Sequence, residues 1–244
     1  MPIISFFQTK GGTGKTTSAF VLAEILSTGN SVTVIDADPN FPFREWKKDG
    51  GEGEPFNIET EEDLDQLPLK IRDAASKSAF VIIDNEGSAN TNAGRAISMS
   101  DLVIITTNGG PLDNKHASKA IKFIKQVEKA AGRTIPYRIL LTLQQAVAVP
   151  RTVKQGIQNM VDSDVPMFST PLIKRDTFMA IFGYNCTLAN IDPAKVNEPQ
   201  KGQLNARAFA LEVARRLREL EEQSEATAST PTEQAQPESE VVNA

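Results

Sequence analysis

Apolar residues fall along this chain in two alternating arrangements. Unbroken runs of five or six, rich in Ile and Val, occupy residues 2–7, 31–35, 79–83, 102–107 and 137–141. Runs of that length without polar alternation suit parallel strands buried on both faces. Between them the apolar period is helical. Residues 16–27 form one such stretch. Residues 113–131 place Ile121, Ile124, Val127 and Ala131 on one side. Residues 203–222 carry Leu204, Ala208, Leu211, Ala214, Leu217 and Leu220, with Phe209 and Val213 alongside. Strand–helix alternation of this kind predicts an α/β fold, a doubly wound and mostly parallel sheet. Residues 1–222 read as one domain. From 223 onward the chain turns to Glu, Ser, Thr, Pro, Gln and Ala. That composition buries too little to offset its ordering entropy, so 223–244 is expected to be a disordered acidic tail.

Charge sharpens the division. The chain has 244 residues and a formal charge of -5. Seven glutamates and no Lys or Arg lie from Glu219 to the end, so 1–218 holds 26 basic against 24 acidic residues. The globular part is slightly basic, and the acidity does not argue against an anionic partner. Lys115, Lys119, Lys122, Lys125 and Lys129 fall on one helical arc, and Arg207, Arg215, Arg216 and Arg218 are gathered on the last helix. Each array is either an ordinary solvated face or a polyanion contact. The one cysteine, Cys186, supplies neither an internal disulfide nor a metal cluster and fits a reducing cytoplasm. No apolar run approaches the ~18 residues of a membrane span.

Chemistry concentrates at 10–17, K-G-G-T-G-K-T-T, between the first strand and the first helix. This is the context of a phosphate-binding loop. Gly11, Gly12 and Gly14 let main-chain N–H groups turn inward around phosphate oxygens, with Thr13 between them, and the helix N-terminus beginning near Thr16 and Thr17 adds its donors and dipole. Lys15 is placed for the β- and γ-phosphates, and the Thr16 hydroxyl for Mg²⁺. The general pattern has a further glycine where this chain has Thr9. Asp36 and Asp84 each end an apolar run, where ligands of parallel sheets bind.

The extra lysine, Lys10, makes the loop resemble the deviant Walker A of the ParA/MinD superfamily. I-D-A-D-P-N (35–40), V-I-I-D (81–84) and S-D-L-V-I-I-T-T-N-G-G-P-L-D (100–113) resemble further segments of that family. Within it, D-A-D-P-N-F-P-F-R-E-W (36–46) and K-R-D-T-F-M-A (174–180) are similar to the ParA-type ATPases of the virulence C locus of conjugative T-DNA transfer. The resemblance implies ATP and Mg²⁺ as cofactors and an ATP-dependent homodimer with weak basal hydrolysis. Lys10 would contact the partner's nucleotide, Asp38 would position the attacking water, and Thr16, Asp36 and Asp84 would hold Mg²⁺. It also implies nonspecific DNA binding, a ParB-like or cargo adaptor that stimulates hydrolysis, and a cytoplasmic protein that joins the nucleoid when ATP-bound. Candidate DNA contacts are Lys174, Arg175, Arg207, Arg215, Arg216, Lys119 and Lys122.

Departures from the family are informative. After Asp84 the chain reads Asn85-Glu86-Gly87, and Glu86 is either a second catalytic carboxylate or a solvated switch residue. The segment expected to read the base is L-T-L-Q-Q (141–145), with Thr142 and Gln144 as candidate adenine contacts. His116 is expected at the surface, Cys186 to be buried or incidental, and Trp46 either to pack locally or to approach the dimer face or nucleotide. Only nine residues precede Lys10, so no helix-turn-helix is expected there. A membrane-bound division regulator would need a basic amphipathic terminal helix, and the chain ends V-V-N-A. Nitrogenase-type reductases need cluster cysteines, and a metabolic ligase of this fold would not need Lys10. Positioning of a protein cargo instead of DNA remains the alternative.

Overall fold

The computed structural model describes residues 1–51, 53–60, 65–145 and 148–228. In chain order the elements are β1 (Ile3–Phe7), α1 (Lys15–Leu26), β2 (Val32–Ala37), α2 (Pro42–Lys48), β3 (Asn57–Thr60), α3 (Leu67–Lys77) and β4 (Phe80–Asn85). They continue with α4 (Thr91–Met99), β5 (Leu102–Thr107), α5 (Pro111–Ala131), β6 (Tyr137–Leu141), α6 (Arg151–Asp162), α7 (Asp176–Gly183) and α8 (Pro199–Ala228). The six strands form one sheet in the order β3-β2-β4-β1-β5-β6. Every strand pairing is parallel.

The unbroken apolar runs are explained by the layers on either side. Successive strand side chains point to opposite faces. Ile4, Phe6, Val34, Ile82, Leu102 and Ile104 enter the layer that holds α1, α7 and α8. Their neighbours enter the other layer: Ile35, Val81 and Ile83 with α3, and Phe7, Val103 and Ile105 with α4 and α5. After β1 the chain moves toward β2, whereas after β4 it crosses β1 to reach β5. The carboxyl ends of β1 and β4 therefore flank the switch point, where a crevice opens in sheets of this type.

Three expectations need correction. β3 was not foreseen: N-I-E-T has no apolar run, because a four-residue edge strand leaves most of its side chains part-exposed. On α8 the inward face is Ala206, Phe209, Ala210, Val213 and Leu217, while Leu204 and Leu211 are 64% and 70% exposed. The small residues let α8 approach the layer closely, and of the leucines read as one stripe Leu204 and Leu211 point outward while Leu217 and Leu220 pack inward. Finally, α8 runs to Ala228, beyond the expected boundary at 222. The segment 221–228, E-E-Q-S-E-A-T-A, has enough Glu, Gln and Ala to continue a helix. The rest of the expected tail lies outside the described residues.

Trp46 packs locally. It is 2% exposed, and its indole N–H donates to the Ile181 carbonyl at 2.9 Å. Phe20 of α1 stands at the centre of this cluster, with ring centroids 4.8 to 5.8 Å from Trp46, Phe56, Phe182 and Phe43. It joins α1, the helix that carries the phosphate loop, to α2 and α7. Phe20→Ala is expected to destabilise the protein by about 3–5 kcal/mol through the cavity it leaves. A chemical denaturation curve, with its midpoint shifted and its slope kept, checks this.

Candidate nucleotide site

The loop between β1 and α1 is shaped by two glycines in conformations that side chains resist: Gly12 at φ 74° and Gly14 at φ 84°. Gly11 and Gly12 at its crest are exposed, whereas Thr13 is 2% exposed and Lys15 is 7% exposed. Gly14 is the N-cap of α1, and no side chain caps the helix. The first-turn N–H groups of α1, including those of Thr16 and the half-buried Thr17, therefore face the loop interior without a side-chain acceptor, an arrangement suited to an anion.

A buried polar floor holds the loop from below. Gln8 Nε2 donates to the Thr106 carbonyl at 2.7 Å, and Thr9 N–H donates to Gln8 Oε1 at 2.7 Å. The Thr13 and Thr106 hydroxyls are 2.8 Å apart. Thr142 Oγ1 donates to the Thr13 carbonyl at 2.7 Å. Gln144 Nε2 donates to the carbonyls of Asn108 and Thr142. These contacts revise the expectation for Thr142 and Gln144. Both brace the loop and its neighbours, and an adenine contact through the Thr142 hydroxyl or the Gln144 amide nitrogen would compete with those bonds.

The acidic residues sit where the strands end. Asp36 and Asp84 are register partners on β2 and β4, and both are fully buried. Thr16 Oγ1 donates to Asp84 Oδ2 at 2.7 Å. Asp36 Oδ2 accepts from the N–H groups of Phe43 and Arg44 and so caps α2 from outside the helix. Oδ1 of each carboxylate is buried without a hydrogen-bond partner. Burial raises Asp84 to about 7, against the pull of the Thr16 hydroxyl and the Lys15 charge. Burial raises Asp36 to about 6, against the pull of the Arg44 and Phe43 N–H groups. Two orphaned carboxylate oxygens beside a threonine hydroxyl fit a hard divalent cation. Among the described residues no group of three or more His, Cys, Asp or Glu is set to hold a metal. Mg²⁺ takes one or two carboxylates and fills its other positions with phosphate and water.

Lys10 and Asp38 are both engaged. Lys10 Nζ lies 2.5 Å from Oδ1 of the nearly buried Asp113, in the first turn of α5. Asp38 is half-buried, and its Oδ1 accepts from Asn40 N–H at 2.9 Å and Asn40 Nδ2 at 2.8 Å. The strand-end loop after β4 closes on the phosphate loop: a Cβ on Gly87 would sit 3.2 Å from Gly11 N and 3.3 Å from the Lys10 carbonyl carbon. Glu86 is turned to Asn90, whose Nδ2 donates to its Oε2 at 2.7 Å.

Over residues 1–220 the chain matches the family model described as VirC1 protein. It belongs to that family, among the ParA/MinD-type ATPases. Protein ParA of Rhizobium radiobacter is 30% identical over 223 residues, covering 90% of this chain and 99% of that one. Protein virC1 of Rhizobium rhizogenes is 27% identical over 188 residues, covering 74% and 80%. Among solved structures, the fold is similar to that of the McdA–ATP complex of Cyanothece, at a TM-score of 0.65 and 16% identity, covering 84% of this chain and 96% of that one.

The structure thus brings Lys10, Gly11 to Thr17, Asp36, Asp38 and Asp84 to one end of the sheet. It does not join the basic candidates into one surface. Lys174 and Arg175 precede α7, and Arg207, Arg215 and Arg216 lie on α8, all in the layer with α1. Lys119 and Lys122 are exposed on α5, in the opposite layer. Arg216 is also committed to Glu219 at 3.0 Å. Sequence reading missed Gln8, Thr106 and Asp113. The signal for the first two was a polar residue at the end of an apolar run.

A cation and protons compete for the same oxygens here. The carboxylates are neutral below their raised pKa values, so the stability their protons supply falls as pH rises from the ordinary carboxylate value of 3.8 and is gone above about 6 to 7. Cation binding offsets that loss. Divalent-cation affinity, measured by calorimetry with Mg²⁺ and nucleotide, is expected to rise across that interval and level off above it. Asp84→Asn is expected to flatten the profile.

Proposed function

We propose that this protein is an ATPase that dimerises on binding Mg·ATP, holds nonspecific DNA in that state, and releases it when an adaptor stimulates hydrolysis. It would thereby position DNA in segregation or conjugative transfer. The observation that carries this reading is Lys10. It sits on the exposed rim of a well-formed phosphate loop, outside the set of groups that enclose phosphate, and its ammonium is stored on Asp113.

Each role follows from placement. The loop N–H groups and Lys15 neutralise the phosphates, the largest requirement of phosphoryl transfer. Thr16 and Asp84, with Asp36 beside them, would hold Mg²⁺, which would supply charge neutralisation to the phosphates. Asp38 orients the attacking water once it leaves Asn40. Lys10 leaves Asp113 to reach the nucleotide of a second copy. Lys174, Arg175, Arg207 and Arg215 form the favoured DNA face, being clustered in one layer. A protein cargo is the second reading, supported by Leu204 and Leu211, which stand exposed beside Arg207 and Arg215.

ATP turnover with and without DNA tests the first half. Lys15→Ala is expected to lose nucleotide binding. Lys10→Ala is expected to bind ATP and stay monomeric, with turnover down by about 10³-fold or more, as for a trans-acting cation. Wild-type turnover from Lys10→Ala would overturn the role given to Lys10.

Duplex binding against salt tests the second half. Replacing Arg207 and Arg215 together by Ala is expected to reduce the slope of log K against log salt by about 2. Replacing Lys119 and Lys122 is expected to leave it unchanged, and the reverse result would move the DNA face to α5.

A further inference from the structure

His116, the chain's one histidine, has no part in the site as described. Its place in the fold is specific. It is half-buried on α5, and its ring Nδ1 lies 3.1 Å from Thr9 Oγ1. The same hydroxyl donates to the main-chain carbonyl of His116 at 3.3 Å. A threonine hydroxyl has one proton. With that proton on the carbonyl, the oxygen accepts from Nδ1–H, and the two contacts complete each other.

Thr9 stands at the position where the general phosphate-loop pattern has its first glycine. It is held from both sides, its N–H on Gln8 Oε1 and its hydroxyl on α5. The next residue, Lys10, places its ammonium on Asp113, three residues before His116 on the same helix. Residues three apart on a helix share a face. Two consecutive residues of the loop's entry arm therefore grip one face of α5 through two different chemistries. One is a partly exposed ion pair at the end of a long, flexible side chain. The other is a half-buried tie made by a short side chain close to the main chain.

We infer that His116 is a positioning residue for Lys10. By tying Thr9 to α5 it fixes the root of the lysine, so Lys10 swings from Asp113 to phosphate about a fixed point instead of carrying the arm with it. The inference rests on the ATPase reading above. A lysine's stem reaches far, but where its ammonium lands depends on its Cα, and a misplacement of about 1 Å at a reacting group costs up to about a hundredfold. The tie also accounts for Thr9 itself. A glycine there would have no hydroxyl to offer α5.

The test is steady-state ATP turnover of the full chain carrying His116→Ala, His116→Asn, Thr9→Val or Thr9→Ser, with Lys15→Ala as the control for the ATPase reading. His116→Ala and Thr9→Val are expected to lower kcat by roughly tenfold while KM for ATP changes less than about twofold, the signature of a contact that matters after binding. His116→Asn places an amide N–H near the Nδ1 position, and Thr9→Ser keeps the hydroxyl, so each is expected to recover most of the rate. The double variant Thr9→Val/His116→Ala is expected to be no slower than either single one. A His116→Asn rate as low as that of His116→Ala, or additive losses in the double variant, overturns the inference. Wild-type turnover equal to that of Lys15→Ala overturns the ATPase reading, and this inference with it.

Discussion

Burial of two carboxylates at adjacent register positions is the constraint around which the molecule is arranged. Asp36 and Asp84 are fully buried, each with an oxygen that no protein group satisfies. An unpaired buried charge is costly, and burial raises the pKa of both groups above the ordinary carboxylate value. The parallel sheet is what imposes the arrangement. β2 and β4 end level with one another, so the residues that close both runs face the same crevice. The phosphate loop supplies the complementary features: the Lys15 charge, the Thr16 hydroxyl and a set of inward N–H donors.

The loop depends in turn on a floor of neutral hydrogen bonds. Gln8, Thr13, Thr106, Thr142 and Gln144 lie under it in one connected set. Buried networks of this kind rigidify when every member is satisfied. The rim is different in kind. Lys10 and Asp38 are held by contacts that can be exchanged, an ion pair and an Asn40 hook. A rigid base with an exchangeable rim is what the proposed ATP-gated reading requires.

Much of this was legible in the chain. Five of six strands announce themselves as apolar runs because both of their faces are buried. The phosphate loop is read from chemistry that only glycine and G-K-T in register can supply. What escaped was of two kinds. β3 has no burial signal to give, since none of its four side chains is buried, whereas the other edge strand, β6, buries Ile139 and Leu140. Thr106, Thr142, Asp113 and His116 act across about 100 residues of chain or more, and nothing in local spacing marks such pairs. Leu204 and Leu211 of α8 mislead for a related reason: small residues such as Ala206 and Ala210 can make the closer contact, and large ones beside them can be left outside.

Gly87 bears on how this protein can vary over generations. Any base change in a glycine codon that alters the amino acid adds at least a Cβ. At this position that carbon would press on the main chain at Lys10 and Gly11, so the phosphate loop would have to give by a few tenths of an ångström. Its neighbour Glu86 is tied through its side chain to Asn90. Exchange at 86 alters a tether, whereas exchange at 87 alters the shape of the phosphate loop. A substitution at 87 thus reaches the phosphate loop's main chain, whereas one at 86 reaches only the side chain of Asn90.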